Sequence, residues 1–157
     1  MTALRKLALG VRMFLNTVRI RNGTSYKTHL AMALKILETP PEVVGDVIEC
    51  GTWKGGSAAN LSLVCRIVGR RLKIFDSFEG LPAGESGDRE AHHYRSGDYC
   101  GTLEEVRRNI RRYGAIESCE FLSIIGGGIC WTRRVVKGPN RRVSNMSLSC
   151  VAVECQE

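Results

Sequence analysis

Apolar residues recur every three or four positions along the first forty residues, and this spacing predicts two helices. The second helix begins at Ser25 or Tyr26 and ends at Leu37, ahead of Pro40-Pro41, because proline lacks the N–H group that a helix needs. The first helix covers residues 3–20. Its apolar stripe is predicted to pack on its own domain or on a second subunit, in preference to a membrane surface. The stripe consists of Leu4, Leu7, Ala8, Val11, Phe14, Leu15 and Val18.

Short apolar runs of strand type replace the helical spacing in the middle of the chain. Residues 47–51 and 72–76 are predicted as strands, and a glycine-rich turn (residues 51–57) and a helix (residues 58–68) lie between them. This order is a βαβ unit, which places both strands parallel in one sheet with a right-handed crossover. The pattern predicts an α/β fold with N-terminal helices.

Three further segments follow this unit. Residues 77–101 form a predicted long loop, in which His92 and His93 could act as a base or metal ligands, although adjacent histidines in a charged loop are more often solvated. Residues 103–113 are predicted as a helix with Thr102 as its N-cap, and residues 119–125 as a third strand. Residues 147–154 are a candidate fourth strand, with Glu154 near a metal-ligand position.

Composition and charge indicate a single globular domain and argue against a nucleic-acid-binding or membrane-spanning protein. A chain of 157 residues suits one domain. Most of the net charge of +7 comes from the ends, since residues 1–40 hold seven Lys or Arg and one Glu. Aromatic residues make up only 6% of the chain, and no basic face with interleaved aromatics is present, so nucleic acid is not a predicted partner. No apolar stretch of membrane-spanning length and no signal peptide is found.

The seven cysteines include no CxxC pair and no spacing typical of a zinc site. We expect reduced thiols and a cytoplasmic protein.

The glycine-rich turn predicts a nucleotide-type ligand at the carboxyl ends of the strands. A P-loop is excluded, because Ser57 follows Gly56 where the phosphate-binding lysine would stand. The match to the dinucleotide-binding motif GxGxxG is incomplete, because Trp53 takes the place of its second glycine. S-adenosylmethionine carries no phosphate and needs carboxylates for its amino-acid end and its ribose, which Glu49 and Asp76 can supply. Another Rossmann-like nucleotide binder stays an alternative.

Two motifs resemble those of the macrocin O-methyltransferase family, which belongs to the class I S-adenosylmethionine-dependent methyltransferases. Residues 49–57 (ECGTWKGGS) resemble its first motif and residues 76–82 (DSFEGLP) resemble its second. Residues 97–114 are similar to the stretch that follows, and the resemblance extends over about residues 25–122.

The resemblance implies a Rossmann-like parallel sheet and methyl transfer from S-adenosylmethionine to a small-molecule hydroxyl, often on a sugar or natural product. It also implies a divalent metal, Mg, whose ligands are not found in this sequence. Asp76 would hold the ribose, and Ser77 and Phe78 would lie near the adenine or ribose, with core packing as the alternative for Phe78. An ordinary strand-end carboxylate is the alternative for Glu49. The residues implied on the methionine side are Glu49, Gly51, Gly55, Gly56 and Ser57.

The family carries its metal ligands, its base and much of its acceptor pocket after the fourth strand, and residues 123–157 do not match that part. We therefore expect a truncated or frame-shifted chain with an incomplete sheet of three to four strands. Its predicted parts are a basic amphipathic helix (residues 1–24), a cofactor-binding domain (residues 25–125) and a divergent tail (residues 126–157). Whether the chain is an enzyme stays open, and the catalytic residues are unknown. The alternative is a noncatalytic remnant that binds the cofactor or self-associates as a homo-oligomer.

Overall fold

The structure, a computed structural model, describes residues 1–81 and 97–124 and the backbone of residues 150–153. The predicted helices and strands are present with shifts of a few residues, and α3, for example, begins two residues early, at Gly56. The helices are α1 (Ala3–Arg19), α2 (Tyr26–Glu38), α3 (Gly56–Val68) and α4 (Leu103–Tyr113), with a short 3-10 turn at Ile116–Ser118. The strands are β1 (Val47–Cys50), β2 (Leu72–Asp76), β3 (Cys119–Ser123) and β4 (Cys150–Val153).

The sheet has the strand order β3-β2-β1-β4. Strands β1, β2 and β3 are parallel, with Val47 opposite Leu72 and Leu72 opposite Cys119. This arrangement confirms the predicted Rossmann-like fold. Helix α3 packs between the sheet and the other helices, and every residue from Gly56 to Cys65 is buried.

The fourth strand differs from the predicted one in direction. β4 pairs with β1 in an antiparallel register, with Val47 opposite Val153. A run of four apolar residues can pair in either direction, and the direction depends on the connection that leads into it. Glu154, His92 and His93 lie outside the described residues.

The N-terminal helix α1 turns a different face inward from the one predicted. Met13 and Asn16 are buried, whereas the predicted stripe is exposed, with Leu4 and Val18 more than 70% accessible. Within the described residues the stripe is therefore mostly exposed, apart from the edge contact of the Phe14 ring with Tyr26, and the second subunit that the prediction also names stays untested. Hydrogen bonds of a buried polar residue orient α1 instead. Asn16 Nδ2 donates to Asn60 Oδ1 at 2.9 Å and to the Tyr113 carbonyl at 3.1 Å. Among the described helices, none has the length and apolar character needed to cross a bilayer.

A buried polar network holds α1 and α2 against α3. Asn60 Nδ2 lies 3.0 Å from His29 Nδ1, and His29 Nε2 lies 2.7 Å from Thr24 Oγ1. Burial lowers the pKa of His29 to about 4. The imidazole is therefore neutral, so it accepts from Asn60 at Nδ1 and donates to Thr24 from Nε2. This chain of bonds positions the segment between α1 and α2.

Candidate functional site

The turn between β1 and α3 needs glycine at two left-handed positions. Gly51 and Gly55 have φ values of 79° and 80°, a region that side chains disfavour. Gly55 is the N-cap of α3 and provides no side-chain hydrogen bond to the helix. The first N–H groups of α3 thus have no side-chain cap, and they present the positive end of the helix dipole. A Cβ at Gly55 would also lie only 3.1 Å from Val106 Cγ1.

The carboxylate of Asp76, at the end of β2, joins both motifs. Its Oδ2 accepts from the backbone N–H of Thr52 at 2.7 Å and of Trp53 at 3.2 Å. Its Oδ1 accepts from the Phe78 N–H at 2.9 Å. A carboxylate has about four acceptor positions. Asp76 therefore fixes the turn after β1 and keeps about one position for a further donor.

Glu49 is fully buried next to the first turn of α3. The Ser57 hydroxyl donates to Glu49 Oε1. Burial raises the pKa of Glu49 to about 7, while the Ser57 hydrogen bond opposes this rise and the charge of Asp76 adds to it. A carboxyl group with this pKa can be either neutral or charged near neutral pH, depending on what binds beside it.

Buried polar atoms without a partner are concentrated at this turn. Among the described residues, the buried side-chain atoms that make no hydrogen bond are Asn22 Oδ1, Glu49 Oε2 and Thr52 Oγ1. Asn22 lies against Gly56, since a Cβ there would overlap its Oδ1. Buried polar groups are normally paired. Three unpaired atoms beside one glycine-rich turn indicate a site for a ligand with hydrogen-bond donors.

The two residues after Asp76 form the next turn. Ser77 Oγ donates to the Gly80 carbonyl at 3.1 Å and accepts from the Glu79 N–H at 3.3 Å. Phe78 is 8% exposed and packs with the core, which is the alternative that the sequence left open for it. The predicted residues from Glu49 to Ser57 are thus brought together with Asp76, and Ser77 and Phe78 shape the neighbouring turn.

Sequence reasoning missed the residues that hold the turn from other elements. Lys54 Nζ pairs with Glu105 Oε1 at 2.8 Å, and the Lys54 carbonyl accepts from Asn109 Nδ2 at 2.9 Å. The Arg21 guanidinium lies over the Trp53 ring, 5.4 Å from its centroid. Lys54, Glu105 and Asn109 lie within the quoted motifs, so the resemblance could have pointed to them. No local signal points to Arg21.

No metal centre is found in the described part of the chain. There, no group of three or more His, Cys, Asp or Glu side chains could hold a metal ion. The described residues therefore do not fit the Mg ion that the resemblance implies.

Sequence comparison identifies one family and several relatives. The sequence model of the macrocin O-methyltransferase (TylF) family matches residues 23–123. A rhamnosyl-tetracenomycin-C 4'-O-methyltransferase from Streptomyces olivaceus is 40% identical over 83 residues, which are 48% of this chain and 32% of that protein. Demethyldecarbamoylnovobiocin O-methyltransferase from Streptomyces niveus is 37% identical over 89 residues, 51% of this chain and 34% of that protein.

Mycinamicin III 3''-O-methyltransferase from Micromonospora griseorubida is 32% identical over 85 residues, 48% of this chain and 34% of that protein. The matches span about one third of the length of these curated relatives. Among solved structures, the O-methyltransferase NovP is similar with a TM-score of 0.61 and 25% identity, over 75% of this chain and 63% of that one.

Proposed function

Because the chain belongs to the macrocin O-methyltransferase (TylF) family, we propose that it provides the donor site of an S-adenosylmethionine-dependent O-methyltransferase. Family membership implies S-adenosylmethionine as the cofactor. The observation that supports the proposal best is the cluster of unpaired buried oxygens beside the glycine-rich turn, on Asn22, Glu49 and Thr52. The turn itself lies within the matched residues.

The chemistry of the donor fits these residues. A ribose diol offers two O–H donors, and Asp76 at the end of β2 keeps about one acceptor position for one of them. The carboxylate of the donor's amino-acid part suits the uncapped N-terminus of α3, where negative charge is stabilised. Its ammonium suits the unpaired Glu49 Oε2, and a bound cation would favour the charged form of Glu49.

We propose a hydroxyl on a glycosylated natural product as the acceptor. The support is the relatives' names, one of which specifies a rhamnosyl compound. In this reaction the hydroxyl oxygen forms a bond to the methyl carbon, the bond from that carbon to sulfur breaks, and the hydroxyl proton passes to a base. Holding donor and acceptor in line is the main requirement. The described residues hold no group of three or more metal-ligating side chains, so no step is assigned to a metal.

Isothermal titration of the purified chain with S-adenosylhomocysteine tests the donor site. We expect micromolar binding that Asp76→Ala weakens tenfold or more, which is about 1.4 kcal/mol. Asp46→Ala is the matched control, because the Asp46 carboxylate pairs with Lys73 at 3.2 Å and forms no ion pair with the turn. A folded wild-type chain that fails to bind, or an equal loss in both variants, would overturn the donor site.

Methyl transfer needs a separate assay. The chain is incubated with radiolabelled S-adenosylmethionine and a panel of glycosylated natural products that carry free sugar hydroxyls. Labelled product that depends on Asp76 supports the proposed reaction. Cofactor binding without transfer to any acceptor would favour the noncatalytic alternative for this chain, while leaving the donor site in place.

A further inference from the structure

The segment that joins α1 to α2, residues 20–25, lies on the glycine-rich turn. Arg21 stacks over the Trp53 ring at 5.4 Å, and a Cβ on Gly23 would come within 3.9 Å of Trp53 Cε3. Between them, Asn22 contacts Gly56, the first residue of α3. The segment thus forms one wall of the candidate donor site, although only its last residues fall within the family match at residues 23–123.

The amide of Asn22 has a defined orientation. Its Nδ2 donates to the Thr17 carbonyl at 2.9 Å and to the Ile20 carbonyl, so both amide hydrogens are used. The opposite orientation would set Oδ1 against two carbonyl oxygens, which repel it. Oδ1 must therefore point away from α1, toward Gly56.

In that direction Asn22 Oδ1 is buried and has no hydrogen-bond partner. Only glycine at position 56 leaves room for it, because a Cβ would overlap the oxygen. A buried carbonyl oxygen without a donor loses the hydrogen bond that water gave it, which costs free energy. A ligand that brings an N–H or O–H group to this point restores that bond.

We infer that Asn22 Oδ1 accepts a hydrogen bond from the ammonium of the donor's amino-acid part. The inference rests on the proposed function and adds a recognition residue to it. The second unpaired acceptor, Glu49 Oε2, belongs to a side chain that Ser57 holds, and Ser57 is the residue after Gly56. Asn22 Oδ1 lies against Gly56 and the Glu49 side chain is held by the next residue, Ser57, and an ammonium with three donors suits two such acceptors.

The other polar groups of the donor fit Asn22 less well. Its carboxylate has no hydrogen to donate and would repel an amide oxygen. A ribose hydroxyl is assigned to the acceptor position that Asp76 keeps, and this carboxylate lies on the β2 side of the turn. A hydrogen bond from an ammonium is also stronger than one between neutral groups, so Asn22 would distinguish the intact amino-acid end from a deaminated one.

The test compares two ligands on the wild-type chain and on Asn22→Ala by isothermal titration. One ligand is S-adenosylhomocysteine, and the other is its deaminated analogue, in which hydrogen replaces the amino group. Asn22→Ala should weaken the binding of S-adenosylhomocysteine about tenfold, which is about 1.4 kcal/mol of binding free energy. It should change the affinity for the deaminated analogue less than about twofold, because that ligand has no ammonium to lose.

Asn109→Ala is the matched control, because Asn109 also donates a side-chain hydrogen bond to the turn, at the Lys54 carbonyl. Loosening of the turn should affect both ligands equally in that variant. Thermal unfolding checks that each protein is folded, and Asn22→Ser provides the same comparison if Asn22→Ala melts below the assay temperature. Equal changes for both ligands in the Asn22 variant would overturn the inference. A folded wild-type chain that binds neither ligand would overturn the proposed donor site itself.

Discussion

Asp76 Oδ2 accepts a hydrogen bond from the Thr52 backbone N–H at 2.7 Å, and this bond joins the end of β2 to the turn that follows β1. The same carboxylate also accepts from the N–H groups of Trp53 and Phe78. A residue that the resemblance places at the ribose is thus also the residue that fixes the glycine-rich turn. We therefore expect binding and folding to be coupled at this position.

Asp76→Asn should lower stability as well as affinity. An amide has a single acceptor oxygen, so its NH₂ group would face at least one of the backbone N–H groups that Asp76 now binds. We expect a loss of about 1–3 kcal/mol in the free energy of unfolding, measured by urea denaturation. Asp46→Asn, which removes a partly exposed pair with Lys73, should cost less than about 1 kcal/mol. Equal losses in the two variants would contradict the structural role of Asp76.

Gly55→Ala should destabilise the chain more than Gly69→Ala does. Both glycines are left-handed, with φ values of 80° and 72°, so each substitution costs about 1–2 kcal/mol of backbone strain. Only the Cβ at position 55 meets a neighbour, Val106 Cγ1 at 3.1 Å, whereas position 69 has open space. The difference in urea midpoints measures this contact. Adding Val106→Ala should reduce the extra cost at position 55, and no such rescue would argue against the contact.

Glu49 should make stability fall as pH rises. Its pKa is about 7 in the folded chain against a usual 4.5, so the folded state holds more protons between these values. The free energy of unfolding then decreases from pH 4.5 to 7 by an amount on the order of 3 kcal/mol. Glu49→Gln should remove this component, as measured by urea denaturation at pH 5 and 8. A variant that keeps the wild-type pH dependence would refute the assignment to Glu49.

His29 should have the opposite effect on pH dependence. Its pKa is about 4 in the folded chain against a usual 6.5, so the unfolded state holds more protons in this range. Its stabilisation is complete above pH 6.5 and is lost as the pH falls toward 4. The effects of His29 and Glu49 partly cancel in the wild-type chain. His29→Asn keeps an acceptor for Asn60, and it should make the free energy of unfolding fall more steeply with rising pH than it does in the wild-type chain. An unchanged dependence of the unfolding free energy on pH would count against the prediction.

Several expectations from the sequence stay predictions. They include the division into residues 1–24, 25–125 and 126–157, the cytoplasmic location and self-association. The exposed stripe of α1 bears on the last of these, because the interpretations left for it are a second subunit and a membrane surface.

The sequence by itself determined the order and the type of the elements from Tyr26 to Ser123. Helical and strand spacing is local, and a glycine such as Gly114 after α4 marks where some elements end. Helix α4 and strand β2 accordingly have the predicted bounds. The parallel sheet follows from the same order, because a strand, a helix and a strand connect in one favoured way. The placement of Glu49, Gly55 and Asp76 at one edge follows in turn.

Only the tertiary structure decided which side of α1 faces inward and what covers the turn. Asn16 donates a hydrogen bond to Asn60, which lies 44 positions away in the sequence. This bond favours burial of the Asn16 side of α1, although the apolar stripe on the other side is the face that the sequence pattern predicts to be buried. Asn22 meets Gly56 only because α1 and α2 pack on α3. Such contacts depend on the docking of separate elements, and their energies are absent from any local pattern of apolar and polar residues.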